Sequence, residues 1–441
     1  MQVMRRVLSD EIKDHIGKTT QIEGWLHKKR LMGGLAFINV RDRRGLTQVV
    51  VQDKDEVEKL RGLQIGTILQ VSGKAVEEAR APGGAELHDP TLTVLVPVTD
   101  EPPIEIDKPI SHKSEHLDML FEHRVLSLRN LQEQKAFKIR ASLVSYIREY
   151  LNERDFTEIQ TPKLLGASPE GGAEVFKLDY FGQEATLAQS PQLFKQIMVG
   201  VYERVFEIGQ AYRAELSATT RHLTELTMLD IEIGFVKSYD EVLDLVADMT
   251  ASVLRRVYKE HEADLKSLNA PELKLPEDKK IPRMTVAEIH ELYTKATKTD
   301  TTQEKDLIPD EEKWICDYSR KQLGSDLIYV RDFPLSTHKF YQKKNDDGKT
   351  VLSADLLFRG VEIATVPMRE NDYKTLLQQM KDSGIDPEDP GFKYYLQAFK
   401  YGLPAHGGCG FGIDRFVQKT IGFNNVKEAT LFPRDINRLT P

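Results

Sequence analysis

RVFEIGQAYRAELSATTRHLTELTMLDIEIGF, residues 204–235, reads as two extended stretches joined by a polar loop. In the first, Arg213 and Glu215 alternate with Tyr212 and Ala214, so on a strand both charged side chains face the same way. The loop carries Arg221, His222 and Leu223, and the second stretch returns through Leu226, Asp230 and Glu232. A second informative run, GGCGFGIDRFVQKTIG at 407–422, alternates Gly408, Gly410 and Gly412 on an expected strand before Arg415 opens a helix. Alternate glycines clear one sheet face, so that a flat base or a backbone can approach closely. Alone, that run is also what a glycine-rich bend with a solvated arginine looks like; in this order after the first, it points to a shared site.

Upstream, residues 134–152 place Phe137, Leu143, Val144, Ile147 and Leu151 at helical spacing, with Lys and Arg on the other face. FTEIQTPKL follows, where Pro162 ends a strand. Farther on, strand-like and helical stretches mix without βαβ regularity. Neither GxGxxG nor a P-loop lysine motif occurs, so neither standard nucleotide cradle is available. The charged segment at about 263–320 reads as an insertion or surface subdomain.

Between residues 20 and 99 the chain runs through TQIEGWL, AFINVRD, LTQVVVQ, TILQVSGKA and TLTVLVPV. Five short strands suit a closed barrel of the OB type, a common platform for single-stranded nucleic acid, although other small β-domains share the signature. Pro102, Pro103 and the polar SHKSEH mark a linker. The expected class is α+β: a barrel at 1–102, a hinge at 103–133, and at 134–441 a mostly antiparallel sheet flanked by helices.

A chain of 441 residues, 40% hydrophobic and 29% charged, has room for two or three domains with sizeable cores. Its net charge of −8 argues against a non-specific nucleic-acid coat, though not against local basic patches. No apolar run approaches the ~18 residues of a membrane span, and MQVMRRVLSDEIKDHIG lacks a secretory pattern. Cys316 and Cys409 give no disulfide framework, which favours the cytoplasm.

Three stretches, those around Pro162, Arg213 and Arg415, resemble the signature motifs of class II aminoacyl-tRNA synthetases. The resemblance implies ATP-dependent activation of an amino acid and a homodimer with Pro162 at its interface. In that chemistry a carboxylate attacks the α-phosphate of ATP, and catalysis is mainly positioning and neutralisation of charge on phosphate oxygens. It implies that Arg213 holds the α-phosphate and substrate carboxylate and that Arg415 reaches the γ-phosphate and covers adenine. Glu215, Arg221, His222, Leu223, Glu362, Gly410 and Gly412 complete the ATP set. Asp355 and Glu362 in SADLLFRGVEI, with Thr365, match the acidic magnesium positions, and hard oxygen ligands shared with ATP suit Mg²⁺. Asp355 and Glu362 are an odd number of residues apart, so one strand face cannot carry both without a turn or bulge between them.

EGGAEVFKLDYFGQEATLAQSPQLFKQIM at 170–198 and LFPRDINRLTP at 431–441 are similar to aspartyl-tRNA synthetases, especially their archaeal-type branch, and the likeness runs from roughly 17 to 441. It implies that Glu170 and Gln192 close over the substrate amino group, and that Lys195 and Arg369 pair with the side-chain carboxylate. Thr365 would also touch the aspartate. Two desolvated cations facing a neutral amide are undercompensated by several kcal/mol, which would reject asparagine. In the barrel, Phe37 matches an aromatic that stacks on the central anticodon base, with Arg30 and Gln48 beside it; burial of Phe37 in the barrel core is the rival reading. His27 and Pro82 resemble the relaxed type that accepts both tRNA(Asp) and tRNA(Asn). The nearest alternatives are an asparaginyl-tRNA synthetase and an RNA-binding paralogue without catalysis. The chain departs from the family at Thr365, Val366, Pro367 and Met368, where relatives have Ser-Gly-Gly-Gln, at Asp414, usually glutamate, and at Leu226, where many have an aromatic.

Overall fold

The computed structural model describes residues 5–110, 114–166, 175–217, 219–277 and 280–441. It divides into two compact units, Met1–Gln134 and Lys135–Pro441.

In the first unit β1 (Thr19–Met32), β2 (Leu35–Arg41), β3 (Leu46–Val51), β4 (Ile68–Glu77) and β5 (Ala85–Val96) close a barrel in the order β1-β2-β3-β5-β4, with α1 (Lys54–Gly62) between β3 and β4. Strand alternation buries Ile22, Leu26, Ile38, Val40, Val49, Val51, Leu69 and Val71 inside. The register of β1 on β2 slips between Leu26 and Lys28, so His27 is an extra residue. Such a bulge reverses which side chains face inward. Lys29 consequently turns toward the end of α1, where its Nζ donates to the carbonyls of Leu60 at 3.1 Å and Leu63 at 2.5 Å. Arg30 turns outward, paired with Phe37 on β2. The 103–133 segment, expected to be a hinge, holds α2 (Ser114–Glu122), α3 (Arg124–Ser127) and a buried pair in which Arg124 Nη1 donates to Glu133 Oε2 at 2.7 Å. Sequence polarity alone does not reveal such pairing.

The second unit opens with α4 (Leu131–Asn152), β6 (Thr157–Glu158), β7 (Leu164–Leu165), β8 (Lys177–Tyr180), β9 (Gln183–Leu187), α5 (Gln192–Tyr202), β10 (Arg204–Tyr212) and β11 (Glu225–Gly234). Next come α6 (Tyr239–Glu260), α7 (Glu262–Ser267), β12 (Arg283–Thr285), α8 (Val286–Thr297) and α9 (Pro309–Tyr318). It closes with β13 (Leu327–Arg331), β14 (Ser353–Phe358), β15 (Val361–Pro367), α10 (Tyr373–Asp382), α11 (Lys393–Lys400), β16 (His406–Gly412) and α12 (Ile413–Ile421). Eight strands form a sheet in the order β12-β13-β14-β15-β16-β11-β10-β6; β7, β9 and β8 form a small one. In the large sheet β6 pairs parallel to β10 and β12 parallel to β13, and the remaining pairs are antiparallel. The segment read as a surface subdomain at about 263–320 instead supplies β12 to this sheet, and Val286, Ile289 and Ile315 of α8 and α9 pack against Ile328, Val330 and Leu357. Most charges of α8 and α9 lie on their outer faces, while Glu311 is buried against His290, and composition distinguishes neither case. Among the described residues no helix is long and apolar enough to cross a membrane.

One face of the sheet is core: Leu229 and Ile231 of β11 and Cys409 and Phe411 of β16 meet Ile147 and Leu151 of α4 and Val242, Val246 and Leu254 of α6. Each fully buried aliphatic side chain there stabilises by about 1.5–3 kcal/mol. By alternation the other face carries Met228, Asp230 and Glu232 of β11, set opposite Gly412, Gly410 and Gly408 of β16. The glycines differ in purpose. A Cβ at Gly408 would lie 1.9 Å from the Ile231 carbonyl oxygen and 2.6 Å from Glu232 Oε2, whereas at Gly412 the nearest atom is 3.8 Å away. Gly408 therefore serves strand packing, and Gly412 leaves open space. Gly408→Ala must part β16 from β11, and it is expected to cost about 3 kcal/mol or more; thermal denaturation beside Gly412→Ala checks this, the second variant melting much closer to the parent.

Candidate active site

Over this open face lies a cavity of about 260 Å³. Its wall includes Gln192, Arg213, Glu215, Arg221, His222, Leu223, Leu226, Asp230, Glu362, Thr365, Arg369, Gly410, Gly412 and Arg415. Most of the residues singled out from scattered stretches of sequence thus meet in one place. Arg213 and Glu215 reach it from the loop just past β10, which ends at Tyr212, rather than by alternation along a strand. Arg415 stands in the first turn of α12, and its Nη1 donates to the Glu362 carbonyl at 3.1 Å. Arg221 Nη1 donates to Glu312 Oε2 at 2.5 Å, a partner on α9 that no local motif announces. His222 Nδ1 sits 2.7 Å from Thr219 Oγ1, and burial lowers its pKa, favouring a neutral ring. Asp414, the departure beside Arg415, accepts from the Thr227 amide at 2.7 Å and from Arg140 Nη1 at 2.5 Å, tying α12 to β11 and α4.

Lys195 is placed differently from expectation. It does not line the cavity; almost fully buried behind Asp230, its Nζ donates to Asp230 Oδ1 at 2.8 Å and to the Cys409 carbonyl at 2.9 Å. Arg369 does reach the wall, with Nε donating to Glu232 Oε1 at 2.9 Å and Nη2 to Glu232 Oε2 at 3.1 Å. Burial alone would raise the Glu232 pKa, but Arg369 and Lys195 outweigh it and hold the carboxylate below its ordinary range. The two cations are therefore balanced by two carboxylates, and the picture of bare cations waiting for a ligand is corrected. In the sequence Asp230 and Glu232 stand out only as acids of the returning stretch; two carboxylates spaced by two on a strand facing alternate glycines are the signal of this role.

Asp355 and Glu362 come from the β14–β15 hairpin. The pairing runs Leu356 to Ala364 and then Leu357 to Glu362, so Ile363 is an extra residue that brings Glu362 to the side of Thr365. Thr365 Oγ1 donates to Glu362 Oε1 at 2.7 Å. Burial, and then the charge of Glu362, hold the Asp355 carboxyl well above the carboxylate range, with the Thr365 hydroxyl pulling the other way. Two carboxyls and a hydroxyl, with Arg415 Nη1 3.4 Å from Glu362 Oε2, form a hard oxygen set that fits Mg²⁺. Among the described residues no three His, Cys, Asp or Glu side chains are grouped to hold a metal, so an ion here would draw further oxygens from a ligand. Glu170 lies outside the described residues, and Pro162 is exposed.

On the barrel, Lys28, Arg30, Phe37, Gln48, Arg80 and His88 line one groove. Phe37 belongs to this groove, not to the barrel core. Gln48 Nε2 donates to Glu86 Oε2 at 2.6 Å. His27 is buried at the bulge, where burial and then Arg41 lower its pKa; neither it nor Pro82 lines the groove.

Residues 116–436 match the family model of tRNA synthetases class II (D, K and N). The chain belongs to that family. Residues 20–95 match the OB-fold nucleic acid binding domain. The chain is 39% identical to an aspartate–tRNA(Asp/Asn) ligase of Thermus thermophilus over 99% of its own length and all of the relative, and 36% identical to an aspartate–tRNA(Asp) ligase of Pyrococcus abyssi over the whole of both. Among solved structures it resembles asparaginyl-tRNA synthetase of Pyrococcus horikoshii with asparaginyl-adenylate, at TM-score 0.90 and 27% identity over 99% of this chain and 100% of that one. Aspartyl-tRNA synthetase of Entamoeba histolytica follows at 0.86 and 26%, over 100% and 93%. Proteins named for either amino acid thus share this fold.

The state of Asp355 makes a stability test. An unfolded aspartate ionises near 3.8, while the folded carboxyl ionises only at higher pH. Ionisation therefore opposes folding above the unfolded value, by an amount that grows until the folded group itself ionises. Asp355→Asn is expected to raise the melting temperature at pH 7 by ~2–4 °C. Melting curves from pH 3 to 8 check it; a gain that persists at the acid end would contradict this origin.

Proposed function

We propose that the chain is an aspartate–tRNA ligase that activates L-aspartate with ATP to aspartyl-adenylate and esterifies it to tRNA(Asp) and tRNA(Asn). The observation that carries this reading is a single cavity with arginines 213, 221 and 415 on its wall and the Arg369–Glu232–Lys195–Asp230 cluster at its base. Arg213 neutralises charge developing on the α-phosphate as the substrate α-carboxylate attacks. Arg415 and His222 receive the outer phosphates, with Arg221 joining them if ATP draws it from Glu312. Leu226 gives adenine an apolar contact with less stacking than an aromatic. Asp355, Glu362 and Thr365 would hold Mg²⁺, which supplies positive charge at phosphate oxygens.

Selection of aspartate follows from the charge cluster as it stands. Asp230 faces the cavity and suits the substrate ammonium. Once that ammonium shares Asp230, the positive charge of Lys195 and Arg369 exceeds what Glu232 offsets, by about one unit. A side-chain carboxylate restores the balance and a carboxamide does not. The likeness to asparaginyl enzymes keeps asparagine as the second reading. Glu170 would add to the ammonium site, and a homodimer through the Pro162 region suits the family.

For RNA, Phe37 offers a stacking face with Arg30 and Gln48 beside it, while His27 acts through the bulge that turns Lys28 and Arg30 outward. The dual specificity is supported by the names of relatives in Thermus thermophilus and Deinococcus radiodurans, both aspartate–tRNA(Asp/Asn) ligases, at 39% and 37% identity. A paralogue that merely binds RNA is disfavoured by the intact set of arginines.

ATP–pyrophosphate exchange is expected with aspartate and not with asparagine; the opposite preference would move the chain to the asparaginyl enzymes. Charging of both purified transcripts is expected at comparable efficiency, and a gap above about a thousandfold, beyond the scale of one base contact, refutes dual specificity. Phe37→Ala should raise the KM for either tRNA by about tenfold through lost stacking and leave the exchange reaction alone, which separates recognition from chemistry in a single variant.

A further inference from the structure

Behind Arg369 lies a chain of buried amides to which the reading above gives no role. With its amide oxygen toward the guanidinium, Gln192 accepts from Arg369 Nη1 at 3.0 Å and Nη2 at 3.2 Å, and from Gln196 Nε2 at 2.8 Å. Gln196 is fully buried one helical turn along α5, and its Nε2 also donates to the Gln192 backbone carbonyl at 3.0 Å. Its own oxygen accepts from the Tyr395 hydroxyl on α11 at 3.1 Å and lies 3.2 Å from His406 Nε2 on β16. The other His406 nitrogen, Nδ1, is 2.8 Å from the Pro404 carbonyl, and the His406 carbonyl accepts from the Arg369 amide at 3.0 Å. Burial raises the Tyr395 pKa, so its hydroxyl remains a donor at working pH.

We propose that Gln196, oriented by the Tyr395 hydroxyl and the Gln192 backbone carbonyl, is a positioning residue for selection of the amino-acid side chain, acting through Gln192 on Arg369. A glutamine amide has one donor end and one acceptor end, and its neighbours decide which way it points. The Gln192 backbone carbonyl only accepts, so it takes the Gln196 NH₂ at 3.0 Å, and the Tyr395 hydroxyl donates to the Gln196 oxygen at 3.1 Å. That NH₂ in turn holds the Gln192 oxygen against Arg369. The guanidinium is then gripped on one edge by Glu232 and on the other by Gln192. If the amide order is lost, Gln192 can turn its NH₂ toward Arg369, where donor meets donor. Arg369 then loses one of the two contacts that aim it. Neither Gln196 nor Tyr395 reaches the ATP end of the cavity wall.

The inference rests on the aspartate reading and is tested apart from it. Two variants are used in ATP–pyrophosphate exchange: Tyr395→Phe, which deletes one hydroxyl, and Gln196→Met, which fills the same space without donor or acceptor. Both are expected to raise the KM for aspartate by about tenfold, the scale of one hydrogen bond to a charged network, with the KM for ATP and the melting temperature near the parent. An aspartate KM within about twofold of the parent would overturn the proposal, as would a rise matched by the KM for ATP, which marks general loosening. Should Gln196→Met fail to fold, Tyr395→Phe decides alone. Failure of the aspartate reading looks different: the parent itself would then exchange with another amino acid, and the same KM comparison is made with that one.

Discussion

The second unit is organised around the contact between β11 and β16, where long acidic side chains on one strand face glycines on the other. Glu232 can lie over Gly408 because that position carries no Cβ, and Lys195 and Arg369 close on Asp230 and Glu232 from α5 and from the segment after β15. Four desolvated charges in such proximity are tolerable because each is paired and hydrogen-bonded. Removing any one strands an opposite charge in a medium that cannot screen it. The same strands bury Leu229, Ile231, Cys409 and Phe411 on their other face, so the charge cluster sits on a rigid core. Stability and selectivity are joined at that sheet.

Two local irregularities aim functional side chains. The extra residue at His27 sends Lys29 to the end of α1 and Arg30 out beside Phe37; the extra residue at Ile363 brings Glu362 round to Thr365. In each case a regular strand would have turned a charged group toward the wrong face. A bulge costs one ladder position and gains an orientation, which is why such features gather at sites.

How far these arrangements were legible in the sequence depended on the range of the interaction. Arg213, His222, Arg415 and the alternate glycines were readable because each sits in a short run whose residue types constrain one another. So was the barrel, whose alternation repeats in every strand. The need for a bulge or turn between Asp355 and Glu362 followed from parity alone. The partners of Lys195 were not readable: Asp230 and Cys409 lie on strands 35 and 214 residues away, and no local pattern links them to α5. The same holds for Glu312 against Arg221, 91 residues apart. The charged stretches at 103–133 and 263–320 looked like hinge and surface because composition counts charges and does not see pairing or amphipathic packing.

Residues 365–368 are informative in this light. Val366 is fully buried in the core, and its carbonyl accepts from Tyr239 at 2.6 Å; Pro367 lines the cavity; the Met368 amide donates to the Leu352 carbonyl at 2.8 Å, and its sulfur packs beside Gly407. A glycine-rich segment would reach the same path with more freedom to lose on folding. Here branched, cyclic and unbranched side chains fill the space, and every backbone step up to Arg369 is tied to a neighbouring strand. The consequence is a guanidinium delivered from a stiff support into a cavity narrowed by a proline ring. Rigidity favours one ligand geometry at lower ordering cost.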